Sequence, residues 1–432
     1  MSFKFNFILF ICISLLMTCI CIIFFSFLHS NDYIGEWIDF SLFRKLGKEN
    51  EHNGFSCFRI DDKMNHRNSS LSLIQPFEDM GVRVATSIWK ADMICFETLN
   101  MIDHNIKKLR LSPSSRCRWI MAVGGSDIIA SKSMLCFTLR KAGLDHYIPQ
   151  TYIFDANEDR QRFIETYDPN KLYILKKNVQ RQEGIIILPS SSSSQPQGPN
   201  QTNTFDYVLD LFDKNAETNG SSFVVCQELL QDPLVVGGRK VNLRVYLLCC
   251  IFEQKGEEKE KVQMYMYHDG FIYYTPEFWE PKSVAIDRNI TTGYIDREVY
   301  RVNPLTLRDM ITFLNQGKTD HLGDQLESSI IETVRKLASV YHPIFLQNNQ
   351  TNTSKRNKQI TNWTIFGCDL APNSSCTNVK IMEVNKGPDL SYKDERDKAL
   401  KFNMVKEALK IVGIANFETL EGEKEKGDFI EL

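Results

Sequence analysis

The sequence predicts a mixed α/β (α+β) chain behind one membrane-spanning helix, and three observations carry that reading. Short runs rich in β-branched and aromatic residues alternate with stretches whose apolar residues recur every three or four positions, the two periods of strand and helix. Of the 432 residues, 43% are apolar and 24% charged, ordinary globular usage that excludes collagen-like, wholly disordered and polytopic membrane chains. Residues 5–28, FNFILFICISLLMTCICIIFFSFL, carry no charge, and a helix of that length rises about 36 Å, enough to cross a bilayer.

The apolar stretch is longer and bulkier than the roughly 7–15-residue core of a cleavable signal peptide, so residues 1–30 are expected to be an uncleaved single-pass anchor, with a cleaved leader as the alternative. Lys4 precedes the helix, while Asp32, Glu36 and Asp39 come before Arg44 and Lys45 after it. The balance of flanking charge leans towards a lumenal placement of the bulk of the chain, with cytosolic placement the alternative. Eight N-x-S/T sequons, at Asn68, Asn200, Asn219, Asn289, Asn349, Asn352, Asn362 and Asn373, lean the same way and suggest a glycoprotein. Lys plus Arg number 51 against 54 Asp plus Glu, a net charge of -3, which is not the field of a general nucleic-acid binder. None of the 12 cysteines forms a C-x-x-C pair, so no structural zinc site is expected, and runs such as LLCCIF read as buried core.

After a spacer over 31–52, an amino-terminal α/β subdomain over 53–155 shows strand-like GFSCFRI, VRVATSIW and ADMICFETL, then the helical ASKSMLCFTLRKAGL closed by Gly143, then IPQTYIF. A second domain over 156–415 opens with two strands, YILKKN and EGIIIL, around VQRQ, followed by a low-complexity surface insert at 189–204. SFVVCQELL, KVNLRVYLLCCIF and VQMYMYHDGFIYY are strands, the last two joined by the charged turn EQKGEEKEK. TLRDMITFLNQGK and LESSIIETVRKLASVYHPIFL are helices, WTIFGCDLAP and VKIMEVN strands, and KALKFNMVKEALKIVG a final helix stopped by Gly413. The acidic tail, 416–432, is expected to be solvated and disordered.

Chemistry enters with a fixed order of residues: a strand lysine (Lys176), a glycine-containing loop, a strand ending QELL, an Arg-Lys-x-x-x-Arg strand, then a separated Asp and Glu-x-Asn. Each feature alone is common; together they supply cations for phosphate, backbone groups for a base, and hard oxygens for magnesium. YILKKNVQRQEGIII, VCQELLQDPLVVGGRKVNLRVYLL and FGCDLAPNSSCTNVKIMEVNKGPDL resemble the tubulin tyrosine ligase-like family, a branch of the ATP-grasp superfamily, over about residues 80–415. That resemblance implies an ATP-grasp fold over 156–415, and an ATP- and magnesium-dependent ligase that joins an amino acid to a protein through an acyl phosphate. Carried across by position, Lys176 would bind nucleotide phosphate, Gln182, Glu183 and Gly184 would belong to the loop closing over it, and Gln227, Glu228, Leu229 and Leu230 would hold adenine. Lys240 and Arg244, flanking Asn242 on the nucleotide side, would face the terminal phosphate and the reacting carboxylate. Asp369, Glu383 and Asn385 would hold magnesium, Glu383 counting also as catalytic, with Lys132 a further nucleotide contact.

The resemblance further implies a protein acceptor, tubulin or another, a free amino acid, glutamate foremost, and no nucleic acid; the anchor adds a membrane. Three positions depart from the family pattern: QEGI in place of a two-glycine loop, Asn242 where the strand motif has aspartate, and Tyr273 where an arginine follows the Asp-Gly turn. These leave two alternatives standing, a membrane-anchored binding or scaffold protein that kept the fold without turnover, and a lumenal ATP-grasp phosphotransferase or ligase acting on something other than tubulin. No G-x-S-x-G elbow is present, in keeping with a reaction that needs no covalent enzyme nucleophile.

Overall fold

The computed structural model describes residues 55–60, 75–96, 102–109, 115–177, 184–190, 203–218, 223–253, 260–293, 295–316, 321–349, 360–414 and 428–432. The expected anchor over 1–30, the spacer, and Gln182 and Glu183 lie outside the described residues. Among the described residues no helix is long and apolar enough to cross a membrane.

Short strands β1 (Ser56–Ile60), β2 (Arg83–Val84), β3 (Met93–Phe96) and β4 (Trp119–Met121) come first. Helix α1 (Lys132–Lys141), strand β5 (Thr151–Ile153), helix α2 (Asn157–Thr166), strands β6 (Tyr173–Lys177) and β7 (Ile185–Leu188), helix α3 (Thr204–Thr218) and strand β8 (Phe223–Glu228) follow. The remainder comprises β9 (Val235–Val236), the 15-residue strands β10 (Arg239–Glu253) and β11 (Glu260–Tyr274), α4 (Leu307–Asn315), α5 (Leu322–Asn349), β12 (Thr361–Pro372), β13 (Val379–Asn385), α6 (Glu395–Ile411) and β14 (Phe429–Glu431).

Two sheets organise these elements. The larger runs β14-β11-β10-β12-β4-β3-β1-β2, with β13 on β12 and β9 on β10; the smaller runs β5-β8-β6-β7. Strands β1–β4 are parallel to one another, and β4 joins β12 in parallel through Thr361 opposite Trp119. Residues 53–155 therefore extend the same large sheet as residues 239–385, while β5 pairs with β8 in the smaller one. Strand β10 is buried from Val245 to Ile251, which is why its sequence is a continuous apolar run rather than an alternation. Helix α5 covers it with Leu326, Ile330, Val334, Leu337, Tyr341 and Phe345, all fully buried at helical spacing. Phe345 stacks on Phe366 of β12 at 5.8 Å.

Local signals act as the sequence suggests. Ser131 caps α1 by accepting from the Met134 amide, and Thr306 with Asp309 forms a capping box on α4. Cys249 and Cys250 are buried core residues, and Cys57 and Cys95 form a disulfide between β1 and β3. The described ends of the low-complexity insert are tied together by Thr204 Oγ1 donating to the Pro189 carbonyl at 2.7 Å.

The structure also differs from expectation. Helix α3 begins inside that polar segment, and its apolar Val208, Leu211 and Phe212 pack with Phe163 of α2 beneath the small sheet; both helices escape a reading dominated by composition. The acidic tail does not end as solvated charge: Phe429–Glu431 pairs antiparallel with Tyr265–Tyr267 on β11. Phe429 packs on the Tyr267 ring at 5.1 Å, so two apolar residues and an unpaired sheet edge overcome the charge of the preceding segment.

Three sequons serve the fold. Asn349, at the end of α5, is buried; its amide nitrogen donates to the Phe345 carbonyl at 2.7 Å and its oxygen accepts from the Gly124 amide. Asn289 is buried and donates to Ser283 and Ala285 carbonyls, and Asn362 donates to Ala122. Replacing Asn349 by Ala is expected to leave Gly124 unpaired and to lower stability by about 1–3 kcal/mol. A urea midpoint unchanged in the variant would refute that role.

Candidate active site

Period 2 along β10 puts Lys240, Asn242 and Arg244 on one face of the large sheet. Register does the rest: Arg244 lies opposite Asp369 on β12, and Asp369 opposite Glu383 on β13, with Asn385 opposite Gly367. Arg244 grips Asp369 with a two-point fork, Nε to Oδ1 and Nη2 to Oδ2, both 2.6 Å, the geometry of a bidentate charge-assisted pair. Asn385 donates to Glu383 Oε1 at 3.1 Å. From the amino-terminal side, Lys132 at the start of α1 brings its Nζ to 3.9 Å from Glu383 Oε2.

The smaller sheet contributes Lys176 at the end of β6. Its Nζ donates to Gln227 Oε1 at 2.7 Å, and Gln227 Nε2 donates to Thr151 Oγ1 at 2.8 Å. This relay fixes the ammonium towards the cluster. Gln227 therefore enters the site through its side chain, a role that QELL did not announce, and Thr151 has no sequence signal at all. The backbone amides of Glu228 and Leu229 are engaged by the Gln150 and Leu172 carbonyls, and the Glu228 carboxylate pairs with Lys171 at 2.9 Å. These contacts hold the strand ends; in this arrangement the two amides do not face a ligand. Gly184 has a φ of +74°, and a Cβ there would come within 2.6 Å of the Lys177 stem, so its turn demands glycine.

Electrostatics follows from burial and neighbours. Burial lowers the Lys176 ammonium, and Glu383 pulls it back in part. Burial, reinforced by Lys176, pushes Lys240 down to about 8. Asp369 is pushed up to about 6 by burial despite the Arg244 fork. Burial alone would raise Glu383, but Lys132, the Asn385 amide and Lys176 hold it below the usual carboxylate range. The Asn242 side-chain oxygen is buried without a hydrogen-bond partner, an acceptor placed between two cations and open to a ligand's donor.

The donor set fits a hard divalent ion in part. Glu383 and Asn385 bring a carboxylate and an amide together, the Asn385 nitrogen facing Glu383 Oε1, and each Asp369 oxygen already accepts one bond from Arg244, leaving that carboxylate fewer lone pairs for a metal. Lys386, next to Glu-x-Asn, pairs with Asp127, whose carboxylate also accepts from the Ile102 and Asp103 amides. Nothing in the local sequence marks that pair, whose members lie 259 positions apart.

The model of the tubulin-tyrosine ligase family matches residues 129–421, more than half of the chain. The chain belongs to the tubulin-tyrosine ligase family. It is 22% identical over 300 residues to the tubulin polyglutamylase TTLL6 of Mus musculus, covering 66% of this chain and 32% of that relative. It is 21% identical over 259 residues to the protein polyglycylase TTLL10 of Rattus norvegicus, covering 57% and 35%. It is also 21% identical over 292 residues to the inactive polyglycylase TTLL10 of Homo sapiens, covering 65% and 40%. The chain thus spans about a third of the length of the curated relatives it matches. As a family member it places Lys132, Lys176, Lys240, Arg244, Asp369, Glu383 and Asn385 in one contiguous cluster.

The low pKa of Lys240 gives a pH dependence with a definite sign. Because its folded value lies below the ordinary 10.5, burying the ammonium opposes folding below pH about 8, and that cost fades as pH rises towards the unfolded value. A bound polyphosphate reverses the bias by favouring the charged form. Magnesium-ATP should therefore bind with proton uptake at pH about 8.5 and more weakly as pH rises. Titration calorimetry in two buffers of different ionisation enthalpy reads that uptake, which Lys240→Met should remove.

Proposed function

We propose that the protein is an ATP- and magnesium-dependent ligase that joins a free amino acid, glutamate foremost, to a carboxylate of a protein acceptor such as tubulin. The observation that carries this reading is the apposition of Lys176, Lys240 and Arg244 with Glu383 and Asn385. Cations that would accept a triphosphate face oxygens that would hold its metal. The activities for which the relatives are named, polyglutamylation and polyglycylation, support an amino acid as one substrate and a protein as the other.

The residues divide the work. Lys176, aimed by Gln227, and Lys240 would bind phosphate oxygens, and the Asn242 oxygen would accept from a nucleotide hydroxyl. Magnesium, held by Glu383 and Asn385, would neutralise charge between the terminal phosphates as the phosphoryl group is transferred. Arg244, oriented by Asp369, would hold the acceptor carboxylate in line for that transfer and then stabilise the acyl phosphate while the amine attacks. Each of these steps is positioning and charge neutralisation, and none needs a nucleophile from the chain.

One observation favours the scaffold alternative: Tyr273 stands beside Arg244, its ring 5.3 Å from the guanidinium carbon, where the family pattern has a cation. We further propose that the apolar segment 5–28 tethers the enzyme to a membrane, with the lumenal orientation tested by protease protection of sealed vesicles.

Full-length protein should transfer labelled glutamate to tubulin only with ATP and magnesium, and Glu383→Gln should reduce the rate on the order of a hundredfold or more. Bound magnesium-ATP without any transfer to tubulin would sink tubulin as acceptor, and transfer surviving in Glu383→Gln would sink the assigned role of Glu383.

A further inference from the structure

Lys386 follows Asn385 directly in the chain, and its Nζ donates to Asp127 Oδ1. Both side chains are partly buried, which shields the pair from the screening that weakens an exposed one. Asp127 is itself fixed. Its Oδ1 and Oδ2 accept from the Ile102 and Asp103 amides at 3.2 and 2.9 Å, and Asp103 Oδ1 accepts in return from the Gly125 amide at 2.7 Å. Two short helices, Ile102–Lys108 and Ser126–Ala130, are thereby tied amino end to amino end, each supplying the carboxylate that satisfies the other's free backbone donors. Gly125 turns at a φ of +96°, and a Cβ there would lie 2.9 Å from the Phe345 ring, so this junction sits directly on the core helix α5.

The chain carrying Asp127 reaches the site a second time a few residues later. Ser131 caps α1 immediately after the short helix, and Lys132, the first residue of α1, sets its Nζ 3.9 Å from Glu383 Oε2. Two ion pairs of opposite sense therefore join 127–132 to 383–386. At one the acid comes from the amino-terminal side and the base from the strand end; at the other the roles are exchanged. Asn385 lies between them. A divalent ion at Glu383 would repel the Lys132 ammonium and loosen that pair, whereas Asp127 and Lys386 are both outside the donor set and keep each other.

We propose that Asp127 is a positioning residue for the metal site: through Lys386 it fixes the Glu383 and Asn385 donors relative to Lys132. It does so from outside the stretch that the family model matches, which begins at residue 129, so the segment from Ile102 to Asp127 belongs to the frame of the site. The inference rests on reading Glu383 and Asn385 as metal donors and names what aims them. Charge and position make opposite demands here. The Lys386 ammonium by itself disfavours a neighbouring cation, so its removal would tighten metal binding if through-space charge were its only effect, and weaken it if aiming the donors is what matters.

The test uses the full-length chain and manganese(II) alone, with the bound ion read by water-proton relaxation enhancement; Glu383→Gln, which should abolish that binding, identifies the site being read. Lys386→Met and Asp127→Asn should each weaken manganese binding about tenfold or more. Lys386→Arg, which keeps the ion pair, should retain wild-type affinity, and metal-free binding of a non-hydrolysable ATP analogue should be the same in wild type and in these three variants. Manganese affinity that is unchanged or tighter in Lys386→Met overturns the proposal and leaves the metal reading standing. Loss of analogue binding in Asp127→Asn and Lys386→Met alike would show that the pair serves the fold at large, and overturns the positioning role. Wild-type protein that binds no manganese, or binding that survives in Glu383→Gln, overturns the metal reading and this role with it.

Discussion

The registration of β10 against β12, and of β12 against β13, is the constraint on which the candidate site depends. In an antiparallel ladder a slip of one residue turns every side chain to the opposite face. Here the buried run from Val245 to Ile251 fixes β10 under α5, and that burial decides that Lys240, Asn242 and Arg244 look into the cleft. Once Arg244 is opposite Asp369, and Asp369 opposite Glu383, one cation and two carboxylates stand side by side across three strands. The apolar core is thus the device that aligns the polar site.

That alignment holds like charges together at a cost. Burial depresses the protonation of both Lys176 and Lys240, Lys132 adds to it at Lys176, and Lys176 adds to it at Lys240. Glu383 offsets part of this for Lys176, and Lys132 in turn favours the charged form of Glu383. A polyanion entering the cleft would relieve the repulsion among the lysines, and a cation at Glu383 and Asn385 would relieve the carboxylate side. Charges arranged in this way are poised for a ligand of mixed sign and are otherwise a burden on stability.

Much of the architecture was legible in the residues. The strands β10 to β13, helix α1 with its closing Gly143, and the long helix α5 follow from period and stop signals alone. The roles of Lys176, Arg244, Asp369, Glu383 and Asn385 came from the family resemblance, not from period. Helices α2 and α3 were not legible, because composition drew attention away from their spacing. Neither was β14, where a charged segment ends in Phe429 and Ile430 and finds the open edge of β11. The sequons show the same limit: N-x-S/T describes chemistry available to the unfolded chain, yet Asn289 and Asn349 are buried as hydrogen-bonding parts of the fold.

What the sequence by itself determined is the inventory and its order: alternating strands and helices, three lysines and an arginine for phosphate and carboxylate, and oxygen donors for a metal. These depend on local spacing, which the linear chain carries. Only the tertiary structure decided which groups meet. Thr151 behind Gln227, Lys132 against Glu383, and both Asp369 oxygens engaged by Arg244 are pairs separated by 76, 251 and 125 positions. Contacts at such separations are set by sheet register and core packing, which no local period encodes.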